Sequence, residues 1–135
     1  MTLANVAVLG AGQMGNGITQ VAAVSGYLVV MVDIKQEYVD RGMETIRKSL
    51  DKLVSKERLT REDADSALDR ISTSTNRNDC ADADLVIEAI PEIPELKFST
   101  FRELDQICKE DAILASNTSS ISIDAIAAAT NRPER

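Results

Sequence analysis

The chain has 135 residues, which is enough for one domain with a hydrophobic core. Apolar residues make up 44% of the sequence and aromatic residues only 3%, so the core must be aliphatic, as suits a parallel sheet covered by helices on both faces. The formal net charge of −7 argues against nucleic-acid partners and anionic membranes, and no apolar segment has the length of a membrane span.

The first predicted element is a short strand that runs into a glycine-rich turn. Residues 5–9 are apolar after Asn5, and Gly10-Ala-Gly-Gln-Met-Gly15 follows with the pattern G-x-G-x-x-G. Gly10 would permit the tight turn, Gly12 would let the backbone approach a pyrophosphate, and Gly15 would let a helix pack closely on the strand. A strand before the pattern and a helix after it predict a dinucleotide site.

A helix and a second apolar strand follow this turn. Gln13 and Met14 stand at the start of the helix, where free N–H groups and the positive end of the helix dipole would face phosphate charge. Asp33 closes the second strand, where a carboxylate accepts hydrogen bonds from a ribose 2′-hydroxyl and repels a 2′-phosphate. The predicted cofactor is therefore NAD, and Lys35, two residues further on, keeps NADP open as the alternative.

Helical and strand patterns alternate along the rest of the chain. Two helices form a hairpin after the second strand, and Thr60, with Asp63 three residues on, is the predicted N-cap of the shorter one. Such alternation predicts an α/β fold, a Rossmann-type doubly wound parallel sheet with a helical-hairpin insertion after strand two. The predicted sheet has five strands and stops before the sixth and last strand of the full dinucleotide fold. The predicted strands cover residues 5–9, 27–33, 71–75, 85–90 and 112–116, and the predicted helices cover residues 14–25, 37–56, 60–68, 94–108 and 123–130.

Two later segments carry a resemblance to a known family. Val86-Ile-Glu-Ala-Ile-Pro-Glu92 with Lys97, and Ala115-Ser-Asn-Thr-Ser-Ser120, stand at the ends of strands four and five. Together with the glycine-rich turn and the long hairpin, they resemble the NAD-binding domain of the L-3-hydroxyacyl-CoA dehydrogenases, a family that includes the 3-hydroxybutyryl-CoA dehydrogenases. The resemblance covers essentially the whole chain. It implies an NAD-dependent oxidoreductase that interconverts 3-hydroxyacyl-CoA and 3-oxoacyl-CoA in fatty-acid or butyrate metabolism.

The resemblance also implies roles for residues near the strand ends. Glu92 and Lys97 would line the cofactor groove, Asn117 would lie near the nicotinamide, and Ser119 would hydrogen-bond the substrate near its reacting oxygen. Each residue has a structural alternative. Glu92 and Lys97 could be solvated charges that open a helix, and Asn117 and Ser119 could satisfy backbone groups where strand five turns into a helix.

The helical hairpin is the second region to which the resemblance assigns a role. Ser49 and Lys56 would contact the coenzyme A moiety of an acyl-CoA substrate, with Lys52 as a nearby alternative. Serine and lysine are common on any exposed helix, so an ordinary solvated face is the other interpretation.

The sequence contains no histidine. Oxidation of a 3-hydroxyl group by NAD needs a base that titrates near neutral pH, which favours histidine. The alternative base, a tyrosine followed by a lysine four residues on, is also absent, because neither Tyr27 nor Tyr38 has that lysine. In the resembled family a catalytic histidine follows the segment matching residues 130–133, and an all-helical C-terminal domain completes the substrate pocket and the dimer. We therefore expect residues 1–135 to be an incomplete NAD-binding domain, inactive alone, of a homodimeric longer protein.

Two other functions remain open at this point: a stand-alone NAD-binding module without catalysis, and a related dehydrogenase of sugar acids or other hydroxy acids.

Cys80 and Cys108 have no C-x-x-C spacing and no metal-ligand partners, so we expect reduced, buried or half-buried thiols and no metal site. The expected partner is a small-molecule acyl-CoA. The lack of a signal peptide predicts a cytoplasmic or organelle-matrix protein.

Overall fold

A five-stranded parallel sheet organises the computed structural model, which describes residues 3–135. Its strands are β1 (Asn5–Leu9), β2 (Leu28–Val32), β3 (Ile71–Ser74), β4 (Leu85–Glu88) and β5 (Ile113–Ser116). Its helices are α1 (Gln13–Val24), α2 (Gln36–Ser55), α3 (Arg61–Asp69), α4 (Pro94–Ile107) and α5 (Ile123–Ala128), and a short 3₁₀ helix covers Arg77–Cys80.

The strands lie in the order β3-β2-β1-β4-β5, and each pairs in parallel with its neighbours. The order reverses direction between β1 and β4, which is the point where open sheets of this kind leave a crevice beyond the strand ends. The predicted doubly wound parallel sheet is thus confirmed. β1 and β5 end at the predicted residues, whereas β2, β3 and β4 end one or two residues earlier, and the 3₁₀ helix was not predicted because it has no apolar periodicity.

Both faces of the sheet are covered, so the inner strands β1 and β2 are apolar in consecutive positions rather than in alternate ones, whereas the edge strand β3 is mostly polar. Val6 and Val8 of β1 pack in the layer that contains α1, α2 and α3, whereas Ala7 and Leu9 pack in the layer that contains α4. Burial of a valine or leucine side chain contributes about 1.5–3 kcal/mol. The spacing of Val39, Met43, Ile46, Leu50 and Leu53 predicts one inward face of α2; the first four are buried as predicted, and Leu53 is half-buried.

Local signals define the ends of several helices. Thr60 caps α3 as predicted, because its side-chain oxygen accepts a hydrogen bond of 3.0 Å from the Asp63 N–H. Pro94 opens α4. The apolar spacing of this segment predicts an inward face made of Leu96, Phe101, Leu104 and Cys108; the last three are buried as predicted, and Leu96 is half-buried.

The C-terminal segment returns to the edge of the sheet at β5. Arg132 lies across the end of α4, where its guanidinium donates to Asp105 Oδ1 at 2.7 Å and to the Lys109 carbonyl at 2.6 Å. The Leu114 N–H of β5 then donates to the Arg135 carbonyl at 2.8 Å, so the last residue lies beside the edge strand. Among residues 3–135, none of the helices combines the length and the apolar character needed to cross a bilayer.

Candidate cofactor site

The glycine-rich turn joins β1 to α1 at the crevice, and its backbone leaves no room for two side chains. Gly10 has a φ of +112°, which L side chains rarely adopt, and a Cβ there would lie 2.5 Å from the Ala89 carbonyl oxygen. A Cβ on Gly15 would lie 1.9 Å from the Gly10 carbonyl oxygen. The turn can therefore form only with glycine at these two positions.

Gly12 differs from these two glycines because the space beside it is open. A Cβ built there would meet nothing within 4 Å. Gly12 is also the N-cap of α1, and within the described residues no side chain caps this end and no acidic residue stands in its first turn. The N–H groups of Gln13, Met14 and Gly15 thus remain available, with the positive end of the helix dipole, to an anion in that space.

Asp33 stands directly after β2 and faces the same turn. Its Oδ2 accepts a hydrogen bond of 2.9 Å from the Ala11 N–H, and its Oδ1 accepts one of 2.7 Å from the Ile34 N–H. Each carboxylate oxygen can accept a further hydrogen bond, since an ionised carboxylate has about four acceptor positions. The backbone therefore orients this carboxylate at the mouth of the crevice while its remaining lone pairs stay free.

A groove of about 600 Å³ runs along this edge of the sheet, lined among others by Gly12, Met14, Asp33, Tyr38 and Ile90. A second cavity of about 380 Å³ lies next to it, beyond Asp33 and Ile34. Arg77 lines both, and an ion pair of 2.8 Å with Glu103 holds its guanidinium at the wall of the smaller cavity. The two volumes together make an extended site rather than a compact pocket.

Five side chains form a closed circuit at the ends of β4 and β5, here called the carboxylate ring: Glu88, Glu92, Lys97, Thr118 and Ser116. Lys97 Nζ lies 2.9 Å from Glu88 Oε2 and 2.9 Å from Glu92 Oε1. Thr118 Oγ1 donates to Glu92 Oε1 at 2.8 Å. Ser116 Oγ accepts from the Thr118 N–H at 3.1 Å and donates to Glu88 Oε1 at 2.6 Å, which closes the ring.

Lys97 is not a solvated charge at the start of a helix, which was the structural alternative for it, because its side chain is only 2% exposed. Burial by itself lowers the pKa of Lys97, but hydrogen bonds and ion pairs with Glu88 and Glu92 outweigh burial and hold the pKa above its usual 10.5. Glu88 was not singled out by sequence reasoning. The available signal was an acid inside the otherwise apolar strand Leu85–Glu88, where it is fully buried.

Glu92 connects the ring to the turn that follows β5. Its Oε2 accepts a hydrogen bond of 3.0 Å from the Ser119 N–H and one of 3.3 Å from Ser119 Oγ. The Ser119 N–H is the largest cause that lowers the pKa of Glu92 to about 2, followed by Lys97 and Thr118. Asn117 is exposed on the same turn, and its N–H donates to the Glu88 carbonyl at 2.9 Å.

The structure thus brings most of the predicted site residues to one edge of the sheet. The glycine-rich turn and Asp33 line the groove, whereas Glu92, Lys97, Asn117 and Ser119 follow the ends of β4 and β5 and are not among the described residues that line the two cavities. Ser49 and Lys56 are elsewhere, on α2 and at its C-terminal end, where Ser49 is half-buried and Lys56 is exposed. In the part of the chain that the structure describes, neither residue lines the two cavities of the crevice.

Three features together define a dinucleotide-binding domain of the Rossmann class: a parallel sheet with this strand order, an open glycine at the uncapped start of α1, and an acid after β2. The family model described as the NAD-binding domain of 3-hydroxyacyl-CoA dehydrogenase matches residues 5–135. The chain therefore belongs to the family of 3-hydroxyacyl-CoA dehydrogenase NAD-binding domains, and the cofactor of this domain is NAD.

Individual relatives agree with the family match. The chain is 54% identical over 126 residues to a probable 3-hydroxybutyryl-CoA dehydrogenase of Deinococcus radiodurans, covering 93% of this chain and 45% of the relative. It is 50% identical over 130 residues to the 3-hydroxybutyryl-CoA dehydrogenase of Bradyrhizobium diazoefficiens, covering 96% and 44%. The chain thus spans slightly less than half the length of these curated relatives.

A solved structure shows the same fold. The (S)-3-hydroxybutyryl-CoA dehydrogenase from Ralstonia eutropha superposes with a TM-score of 0.96 at 48% identity, covering 98% of this chain and 47% of that one. The identified resemblance, the Rossmann-type sheet and NAD as cofactor are confirmed by these comparisons. The roles of individual site residues remain predictions.

Proposed function

We propose that this chain is the cofactor-binding part of an NAD-dependent enzyme that interconverts 3-hydroxyacyl-CoA and 3-oxoacyl-CoA. The observation that carries the proposal is the uncapped start of α1 at Gly12, which opens into a groove of about 600 Å³ with the Asp33 carboxylate at its mouth. This arrangement fits a dinucleotide because it offers N–H donors to a diphosphate and an acceptor to a ribose within one groove.

The cofactor contacts follow from this fit. The N–H groups at the start of α1 would hold the diphosphate, and Asp33 would accept a hydrogen bond from the adenosine ribose. The smaller cavity beyond Ile34 has room for a flat base against the Arg77 guanidinium. The proposed cofactor-binding residues are Gly10, Gly12, Gln13, Met14, Gly15, Asp33, Glu92, Lys97 and Asn117.

The substrate end of the proposal rests on the turn after β5. When bound, NAD supplies the acceptor for the hydride that leaves the 3-hydroxyl carbon. Ser119 is exposed on this turn, and its hydroxyl would hold the substrate oxygen while Glu92 orients it from below. Asn117, two residues earlier, would lie between that oxygen and the nicotinamide.

The coenzyme A moiety would extend along the hairpin. Ser49 and Lys56 are seven residues apart, two helical turns, which favours one face of α2 for both. Lys56 is exposed at the C-terminal end of that helix, where an ammonium group could meet a phosphate of the thioester; Lys52, also exposed, is the alternative. The partner is accordingly a small acyl-CoA.

The base of the reaction must come from outside this sequence, which contains no histidine. The hydrogen bond from the Leu114 N–H to the Arg135 carbonyl shows that the outer edge of β5 can pair with another segment, which supports a catalytic histidine held beside Asn117 and Ser119. Exposed apolar side chains on α1, among them Met14 and Val21, support a further domain over this face. The proposal includes a homodimeric enzyme of the cytoplasm or an organelle matrix.

Two measurements on the 135-residue chain test the proposal. Titration calorimetry with NAD should show binding, and an assay with acetoacetyl-CoA and NADH should show no turnover. Absence of NAD binding would contradict the cofactor assignment, and robust turnover would contradict the assignment of the base to another segment.

The absence of histidine favours one second candidate, an NAD-binding module without catalysis. The reading frame beyond Arg135 distinguishes the two candidates. A continuing frame with a histidine-bearing strand and a helical domain supports the enzyme. Competition between acyl-CoA thioesters and free hydroxy acids on the complete protein would then separate an acyl-CoA dehydrogenase from a dehydrogenase of other hydroxy acids.

A further inference from the structure

Glu88 is the fully buried acid of the carboxylate ring, and the proposed function gives it no role. Its side chain has 0% exposure, whereas that of Glu92 is 36% exposed. Three groups donate to the Glu88 carboxylate: the Lys97 ammonium at 2.9 and 3.0 Å, the Ser116 hydroxyl at 2.6 Å and the Ile90 N–H at 2.7 Å. The carboxylate is therefore satisfied entirely by the protein.

Stability alone does not account for an ion pair at this place. Burying a carboxylate and an ammonium costs several kcal/mol per ion, and apolar residues of similar volume often stabilise a core equally well. The position of Glu88 is informative instead. It is the last residue of β4, in register with Leu9 of β1 and Ser116 of β5, and thus lies directly below the crevice.

Two chains of contacts lead from the Glu88 carboxylate to the same turn. The first passes through Ser116, whose hydroxyl accepts from the Thr118 N–H at 3.1 Å. The second passes through Lys97 to Glu92, whose carboxylate accepts from the Ser119 N–H at 3.0 Å. Glu88 therefore restrains both ends of the Thr118–Ser119 peptide segment without lying at the surface itself.

We propose that Glu88 is a positioning residue for the nicotinamide end of the cofactor, acting through the carboxylate ring on the turn that carries Asn117 and Ser119. This inference rests on the proposed function, which places the nicotinamide at that turn. Because the ring holds the turn in one conformation before the cofactor binds, less conformational entropy is lost on binding. The adenosine half of the cofactor, held at Gly12 and Asp33, gains nothing from the ring.

The test compares NAD with ADP-ribose, which is NAD without the nicotinamide ring, by titration calorimetry on the whole chain. Glu88→Gln keeps the size of the side chain but removes the charge that pairs with Lys97. We expect the variant to bind NAD about tenfold more weakly and to bind ADP-ribose with less than about a twofold change. An equal loss for both ligands would overturn the inference, because a merely structural role weakens the whole site.

Asp84→Asn is the matched control. Asp84 precedes β4 at the opposite edge of the sheet, where its carboxylate pairs with Lys109 and accepts from the N–H groups of Ala4 and Asn5. Its loss should lower the melting temperature and leave the ratio of NAD affinity to ADP-ribose affinity unchanged. A change of that ratio in Asp84→Asn would overturn the inference, since any loss of stability would then produce it.

Ser116→Ala provides a second variant that removes one chain of contacts and keeps the ion pair of Lys97. We expect it to weaken NAD binding about threefold and to spare ADP-ribose, and an unchanged NAD affinity would overturn the inference even if Glu88→Gln does not fold. Two results separate the inference from the proposed function. A wild-type chain that binds neither ligand contradicts the proposed function, whereas equal wild-type affinities for the two contradict only the role of the ring.

Discussion

At the scale of single residues, two nearby glycines of α1 are expected to respond to alanine substitution with opposite changes in stability. Gly15 is buried against the Gly10 carbonyl, where a Cβ would approach to 1.9 Å, whereas a Cβ on Gly17 would meet nothing within 4 Å. Gly15→Ala must therefore push α1 away from the turn, and it should lower the free energy of unfolding by about 3 kcal/mol or more. Gly17→Ala should raise it by about 0.5–1 kcal/mol, since alanine is the better helix former. Urea denaturation of both variants checks the pair, and similar effects in the two would contradict this description of the turn.

Asp33 supports the prediction about cofactor choice at the same scale. Asp33→Asn keeps an acceptor for the Ala11 N–H but loses the charge that repels a 2′-phosphate. We expect NAD binding to weaken about tenfold and the preference for NAD over NADP to shrink, as measured by calorimetry with both cofactors. Asp111→Asn, an exposed acid before β5, is the control and should leave both affinities unchanged. An unaltered preference in Asp33→Asn would show that another group selects the cofactor.

At the scale of elements, the turn after β5 depends on the ionised state of Glu92. The pKa of Glu92 is lowered to about 2, chiefly by the Ser119 N–H and then by Lys97 and Thr118. Because the folded-state pKa lies below the ordinary 4.5, the contribution of Glu92 is complete above that pH and is lost as the pH falls toward 2. Thr118→Val removes one donor, so it should raise the pKa of Glu92 in a carbon-13 NMR titration. Thr45→Val, on the exposed face of α2, should not change it.

Arg132 plays the corresponding part at the end of α4. Its guanidinium donates to Asp105 Oδ1 and to the backbone carbonyls of Asp105 and Cys108, which the end of a helix leaves without intrahelical partners. Lysine cannot reproduce this fork, so Arg132→Lys should lower the free energy of unfolding by about 1–3 kcal/mol. Arg102→Lys, exposed on the same helix, should change it by less than about 0.5 kcal/mol. Equal effects of the two variants in chemical denaturation would contradict a capping role.

At the scale of the whole molecule, an apolar face is open to solvent. A cavity of about 550 Å³ on the α1 side of the sheet is lined by Met14, Val21, Tyr27 and Ile87 among others, and Val21 is 66% exposed. We expect the 135-residue chain to self-associate at high concentration because this surface is apolar. Light scattering should show less association for Val21→Lys and no change for Gln106→Lys on α4. A clean monomer of the wild-type chain at high concentration would contradict the prediction.

The sequence by itself determined the features that depend on local geometry. The glycines at positions 10 and 15 predict the turn because only glycine tolerates the positive φ of Gly10 and the close backbone contacts of both residues, and the Thr60 cap needs only its own helix. The doubly wound parallel sheet followed from the alternation of strands and helices, since right-handed crossovers leave few topologies.

Only the tertiary structure decided the carboxylate ring. The bonds from Glu88 to Lys97 and to Ser116 join residues 9 and 28 positions apart. The register of β4 with β5 brings Ser116 to Glu88, and the packing of α4 brings Lys97 to it. The partners of an acid in an apolar strand cannot be predicted from the sequence, because its burial and its ion pairs depend on which elements pack over it. For the same reason Lys97, which sequence reasoning could place either in solvent or at the groove, is found beneath the groove as part of a buried ion pair.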